Sequence, residues 1–214
     1  MHPLTVTSCL ENQIETASQI LRDGGVVALP TDTIYGLMAD ALNKEAVRRV
    51  FLLKNRPKEM PLPLLIVNAD DVQTWAIDIP DITWPLIQSF WPGALTLILK
   101  KASCISEIVS GGLDTIALRV PNHIVPRTIA KYLGTPITGT SANRSGSASL
   151  SRADQVKKEF GDCIDLIIDT GETLQGISST VLDLSGKHPR ILREGAITRS
   201  ELEMVCGDLS LITS

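Results

Sequence analysis

One run of residues near the start constrains the fold more than any other: Gly24-Gly25, then Val26-Val27-Ala28-Leu29, then Pro30. A Gly pair ends a preceding helix, and four small or β-prone apolar residues read as a short strand buried on both faces. Pro30 withdraws a backbone donor and stops the ladder. Thr31-Asp32-Thr33-Ile34-Tyr35-Gly36 follows, setting hydroxyls and one carboxylate at the C-terminal end of that strand. In open α/β sheets ligands bind at this end. Taken alone, the segment also reads as a polar turn capping a strand.

Before the Gly pair, Ile14, Ala17, Ile20 and Leu21 mark the apolar side of a first helix. After it, Asn43 is the expected N-cap of a second helix whose buried stripe is Val47, Val50 and Phe51 and whose limit is Pro57. Strands are expected at 62–67 (an edge strand, because of Pro63), 94–99, 115–120, 137–140, 166–168, 180–182 and around Ile191-Leu192. Helices are expected at 82–90, broken by Trp91-Pro92-Gly93, and at 125–133. Another should open on a Ser151/Asp154 capping box and run to Phe160, and a last one on Thr198 with Glu201. Strands and helices mix without strict alternation, which predicts one α/β domain with a mixed, twisted, open sheet and flanking helices. The domain is expected to span 1–214, with a core of about 11–206 and a short tail at 207–214.

Hydrophobic residues make up 43% of the 214 and aromatics only 4%, so the core must be built from Val, Ile, Leu and Ala. A net charge of -4 gives no global attraction to nucleic acid or to an anionic membrane. Cys9, Cys104, Cys163 and Cys206 form no Cys-x-x-Cys pair, and His2, His123 and His188 are equally scattered. Reduced thiols in a cytoplasmic protein are expected, without a zinc or other metal centre. The N-terminus shows no signal-peptide core and no apolar run reaches transmembrane length.

The candidate chemistry is cationic. Lys54 lies four residues after Val50 and seven after Val47, on the buried stripe of its helix, where a cation needs a partner and a bound anion would serve. Arg56 and Lys58 follow it, after Arg48 and Arg49. Favourable charge at the helix C-terminus accounts for Arg48, Arg49 and Lys58. Along 115–120, Thr115, Ala117 and Arg119 share one face, so Arg119 is a lone cation on an apolar strand. It is either one half of a structural salt bridge or a fork for a carboxylate or phosphate. The small-residue loop at 141–151 can present N–H groups to an anion. No G-x-x-x-x-G-K-[ST], G-x-G-x-x-G, Ser-His-Asp or Cys-His pattern occurs. An enzyme of this kind would work by clamping charge and positioning reactants, with no covalent nucleophile.

Pro30-Thr31-Asp32-Thr33-Ile34-Tyr35-Gly36, Lys54-Asn55-Arg56-Pro57, Trp91-Pro92-Gly93 and Ala117-Leu118-Arg119-Val120-Pro121 come in this order. Ser141-Ala142-Asn143-Arg144-Ser145-Gly146, Ser178-Ser179-Thr180 and Ile191-Leu192-Arg193-Glu194-Gly195 follow. Together, from about Leu21 to Ile197, the chain resembles the YrdC-type family of threonylcarbamoyl-AMP synthases. Met60 and Leu65 depart from that pattern, where many relatives have Asn and some have His. The resemblance implies a single-domain YrdC-like fold with a basic concave face. It also implies a nucleotidyltransferase reaction: L-threonine, bicarbonate and ATP, with Mg2+ expected beside ATP, give threonylcarbamoyl-AMP and pyrophosphate. The product would pass to tRNA threonylcarbamoyl transferase proteins, and contact with tRNA or double-stranded RNA is a further expectation.

By the same resemblance, Thr33, Arg119, Gly139 and Ser179 hold threonine, and Lys54 and Arg56 are catalytic. The nucleotide would be held by Lys54, Arg56, Thr115, Ser141, Asn143, Ser149 and Arg193. Two other readings stand beside this one. An RNA-binding or ribosome-maturation protein would use the same basic surface, against an acidic total charge. A carbamoyl-adenylate module of hydrogenase maturation would sit among zinc-finger and acylphosphatase segments, which are not visible in these 214 residues.

Overall fold

Residues 8–173, 176–207 and 209 are described in the computed structural model of the chain. The first seven residues and most of the expected tail lie outside them. Helix α1 (Ser8–Arg22) buries Ile14, Ala17 and Leu21 at helical spacing. Strand β1 (Val27–Leu29) is buried throughout, as its composition requires. Beyond Pro30 the chain turns back as β2 (Gly36–Met38), antiparallel to β1 with Leu29 opposite Gly36. The Thr31–Tyr35 segment is therefore the loop of a hairpin, whose second strand sequence reasoning did not anticipate.

Helix α2 (Lys44–Lys54) opens as expected, the Asn43 side chain accepting from the N–H groups of Glu45 and Ala46. It ends at Asn55 in the left-handed region, two residues before Pro57. Next come β3 (Leu64–Leu65), a 3-10 turn at Ala69–Asp71, α3 (Val72–Trp75), β4 (Ala76–Ile77), α4 (Thr83–Phe90) and β5 (Leu95–Lys101). The middle of the chain holds α5 (Glu107–Ser110), β6 (Thr115–Arg119), α6 (Ile124–Leu133), β7 (Ile137–Thr138) and β8 (Thr140–Ser141). The described chain finishes with α7 (Ala153–Phe160), β9 (Leu166–Ile167), β10 (Thr180–Asp183), β11 (Arg190–Arg193) and α8 (Arg199–Cys206).

The strands form two mixed open sheets where a single sheet was expected. One has the order β8-β2-β1-β9, and the other β11-β10-β5-β6-β3-β7, with β4 added beside β5. The division falls inside the expected 137–140 strand. At Gly139 the chain leaves β3, to which β7 is antiparallel, and joins β2 as β8. A Cβ at Gly139 would stand 2.7 Å from Cγ and Cδ2 of Leu65, so glycine alone fits the crossing without displacing that side chain.

Two local expectations need correction. The strand around Leu64 is interior, paired with β6 on one side and β7 on the other. Pro63 immediately precedes it, where its missing N–H costs no ladder bond. Helix α7 is not opened by Ser151 and Asp154: the Gln155 side-chain oxygen accepts from the N–H of Ser151 and of Arg152, while Asp154 pairs with the Arg152 guanidinium. At the other end of the chain, Thr198 and Glu201 form the expected capping box.

Helices α1 and α6 cover β1, burying Ile14, Ala17, Leu21, Val125 and Ile129 against Val27 and Leu29. A larger cluster under the other helices includes Val47, Phe51, Leu64, Leu97 and Leu118. Each buried Val, Leu, Ile or Phe side chain among them contributes roughly 1.5–3 kcal/mol of apolar burial. The core is thus aliphatic.

Candidate active site

Where strand ends of the two sheets approach each other, a cavity of about 390 Å³ opens, within the range of small-molecule sites. Seven of the residues singled out in the sequence line it: Thr33, Arg56, Arg119, Gly139, Ser141, Ser179 and Arg193. The hairpin loop brings Thr33, the residues just after α2 bring Arg56, and β6 brings Arg119. The crossover at Gly139 leads into Ser141, Ser179 immediately precedes β10, and Arg193 ends β11. The face alternation along β6 holds, since Ala117 and Arg119 line the cavity while Ile116 and Leu118 are buried in the core.

Arg119 is anchored on three sides. Its Nε donates to the Gly93 carbonyl at 2.8 Å, one terminal amine to Thr33 Oγ1 at 3.0 Å and the other to Asp32 Oδ1 at 2.6 Å. Burial lowers its pKa and the Asp32 carboxylate opposes that shift. Of the two alternatives posed for this residue, the structure shows the buried salt bridge, and the same guanidinium lines the cavity. A guanidinium has five donors, so two remain for a ligand carboxylate. Thr33 is itself oriented, its hydroxyl 2.9 Å from that of Thr31, which donates to the Ile34 carbonyl at 2.7 Å.

Arg56 and Arg193 differ from Arg119 in one respect. Arg56 donates to the carbonyls of Met60 and Pro61, and Arg193 to the Ser179 carbonyl at 2.9 and 3.1 Å and to its hydroxyl at 3.3 Å. Among the described residues neither has a carboxylate within salt-bridge distance. Burial lowers the Arg56 pKa, and burial with the nearby Arg119 charge lowers that of Arg193. Two fixed guanidiniums without anionic partners facing one cavity are suited to a polyanion such as a triphosphate. The Arg193 wall depends on Gly195, where a Cβ would fall 2.2 Å from the Ser178 carbonyl oxygen.

The other sequence candidates lie elsewhere. Lys54 is buried, and its amine donates to the Ser141 carbonyl and, at 2.6 Å, to the Asn143 carbonyl. The partner that a cation on a buried stripe requires is thus supplied by main-chain oxygens. Burial, and secondarily Arg56, lowers its pKa to about 8. Asn143 braces the same loop, its amide donating to the carbonyls of Arg144 and Ser147. These two side chains shape the wall from behind, and neither lines the cavity. Thr115 sits at the opposite end of β6 from Arg119, paired with Lys100 and roughly 13 Å along the strand. Ser149 is exposed on its loop and also absent from the lining.

Sequence reasoning gave no role to Asp32, Thr96 or Tyr35. Asp32 is the carboxylate that a lone strand arginine implied. Thr96 lines the cavity and its hydroxyl lies 2.8 Å from that of Ser179. The Tyr35 hydroxyl donates to the Gly171 carbonyl at 3.1 Å, and burial, with the Asp169 charge, raises its pKa to about 12.

The Sua5/YciO/YrdC family model, described as telomere recombination, matches residues 19–195. The chain belongs to this family. Among Sua5/YciO/YrdC relatives, the threonylcarbamoyl-AMP synthase of Pyrococcus abyssi is 40% identical over 201 residues, 94% of this chain and 59% of that protein. The Bacillus subtilis threonylcarbamoyl-AMP synthase is 39% identical over 198 residues, 92% of this chain and 57% of its own length. The chain thus spans less than two thirds of either. The crystal structure of P. abyssi Sua5 complexed with L-threonine superposes with a TM-score of 0.90 at 41% identity, covering 92% of this chain and 58% of that one. The mixed α/β architecture with open sheets is that of the family.

Proposed function

We propose that this chain is an L-threonylcarbamoyl-AMP synthase, forming that product and pyrophosphate from L-threonine, bicarbonate and ATP. The observation that carries the reading is one cavity with two kinds of cation: an Arg119 prepared for a carboxylate beside Thr33, and Arg56 with Arg193, which have no carboxylate partner among the described residues. The named relatives and the threonine complex of P. abyssi Sua5 support it.

In this reading Thr33, Arg119, Gly139 and Ser179 form the threonine pocket, while Arg56, Ser141 and Arg193 face the phosphates. Lys54 and Asn143 act from behind by holding the Ser141 loop. Threonine's amine condenses with bicarbonate, forming an N–C bond and releasing water. A carbamate oxygen then attacks the α-phosphorus and the bond to pyrophosphate breaks. Arginines fixed before charge develops on the phosphates need no reorganisation during this step. Mg2+ would enter on the ATP phosphates, because the cavity's lining offers hydroxyls and guanidiniums but no carboxylate among the described residues, and Asp32 behind it is engaged by Arg119.

The product would serve partner transferases that modify tRNA. A cytoplasmic location suits an ATP-dependent step and four unpaired cysteines. No helix among the described residues is long and apolar enough to cross a membrane. The test is pyrophosphate release with threonine, bicarbonate and ATP omitted in turn. All three should be required, and release independent of threonine would overturn the assignment.

A further inference from the structure

A second cavity, about 680 Å³ and larger than the first, shares no lining residue with it. It is a groove between the Ala69–Asp71 turn with α3 on one side and α6 on the other. Ile66, Ile124, Ala130 and Pro136 give it an aliphatic floor, and Trp75 contributes an indole to one wall. Arg127 and Lys131, one helical turn apart on α6, contribute cations to the other.

Among the described residues these two cations have no anionic partner. Arg127 Nε donates to the Val67 carbonyl at 3.0 Å, which holds the guanidinium in place, and its terminal amines make no hydrogen bond among the described residues. No carboxylate among the described residues lies within salt-bridge distance of Arg127 or Lys131. Asp71, the one acid in the lining, is turned to its own loop, where it accepts the Asn68 N–H at 3.0 Å. Asn68 lines the same wall, and its side-chain amide carries both a donor and an acceptor. Complementing the helix dipole would explain Lys131 in the last turn of α6. It explains neither the anchored Arg127 nor the presence of Trp75 in the same groove.

We propose that this groove is a site for a nucleoside phosphate, either a free nucleotide or one residue of an RNA strand. The fork of Arg127 and the ammonium of Lys131 take the phosphate oxygens, and the base lies against the Trp75 indole within reach of Asn68. The site goes beyond the reaction proposed above and does not depend on it.

The test follows the indole N–H resonance of Trp75 in the ¹⁵N-labelled full chain, assigned by Trp75→Phe, during titration with AMP and separately with a short single-stranded oligoadenylate. The resonance should shift in the wild type and equally in Arg56→Ala/Arg193→Ala, which removes the first cavity's phosphate contacts. Arg127→Gln/Lys131→Gln should weaken the response on the order of tenfold or more, with pyrophosphate release unchanged. Response to both probes assigns a free-nucleotide pocket, and response to the oligonucleotide alone assigns an RNA-strand site. A Trp75 resonance indifferent to both probes overturns the proposal. So does a shift that survives loss of both cations in a protein whose spectrum shows the native fold.

Discussion

The carboxylate of Asp32 and the guanidinium of Arg119, 87 positions apart in the sequence, meet at 2.6 Å with both side chains less than a tenth exposed. The pair links the hairpin loop after β1 to the last residue of β6. It orients the cation that the proposed reaction needs on threonine's carboxylate.

Arg119→Lys keeps the charge and loses the fork, so threonine binding should weaken more than ATP binding. The expected change is on the order of tenfold in the KM for threonine, with a smaller change for ATP. Steady-state pyrophosphate release with each substrate varied checks this. Equal losses for both substrates would mean that Arg119 does not hold the amino acid. Removing a buried partner outright, as in Arg119→Ala, should also destabilise the fold by about 3–5 kcal/mol, because Asp32 would be left charged and unpaired.

Arg56→Ala should lower turnover by roughly two to three orders of magnitude, the scale of losing one charge-stabilising donor. Stability should barely change, since Arg56 bonds only two carbonyls of its own loop. A urea melt beside the turnover assay separates the two effects. Near-normal pyrophosphate release from the folded variant would remove Arg56 from the site.

The buried Lys54 predicts a specific pH dependence of stability. Its amine titrates near pH 8 in the folded chain, against an ordinary value of 10.5, because burial disfavours its charged form. Between those values the unfolded chain holds a proton that the folded chain has released, so stability rises with pH across that window. Below pH 8 both states are protonated and the dependence vanishes. Urea unfolding of the wild type against Lys54→Met, from pH 7 to pH 10, should show the wild type gaining stability relative to the variant. A flat difference would contradict the burial argument.

Gly139→Ala should cost about 1–3 kcal/mol, as a methyl group is forced against Leu65 in a packed wall. Leu65→Ala opens space at the same point. The double variant should therefore be more stable than the sum of the two single losses predicts, a coupling measurable by a thermodynamic cycle in urea. Additive losses would show that the two side chains do not compete for one space.

Local patterns were legible wherever neighbouring residues decide the outcome. The Asn43 cap, the Thr198/Glu201 box, the buried stripe of α2 and the alternation along β6 all follow from spacing and side-chain chemistry within a few positions. The resemblance brought the family and most of the cavity's residues into view. Where reasoning failed, the competing interaction came from a distant segment. Pro63 suggested an edge, but β7 supplies a partner on that side and the proline sits just outside the ladder. The buried Lys54 called for a partner, and the two carbonyls that meet it lie 87 and 89 positions away. Thr115 shares a face with Arg119, yet a strand is long enough to carry it away from the cavity.

What this sequence determined by itself was the set of short strands, capped helices and isolated cations, because propensity, capping and side-chain period act over a few residues. Only the tertiary structure decided that Gly139 would pass the chain from one sheet to the other, and that Asp32 would be the anion for Arg119. It also decided that Arg56 and Arg193 would face one cavity with no carboxylate partner among the described residues. Those outcomes rest on long-range packing and on which buried charge finds a partner, and neither is encoded in the spacing of nearby residues.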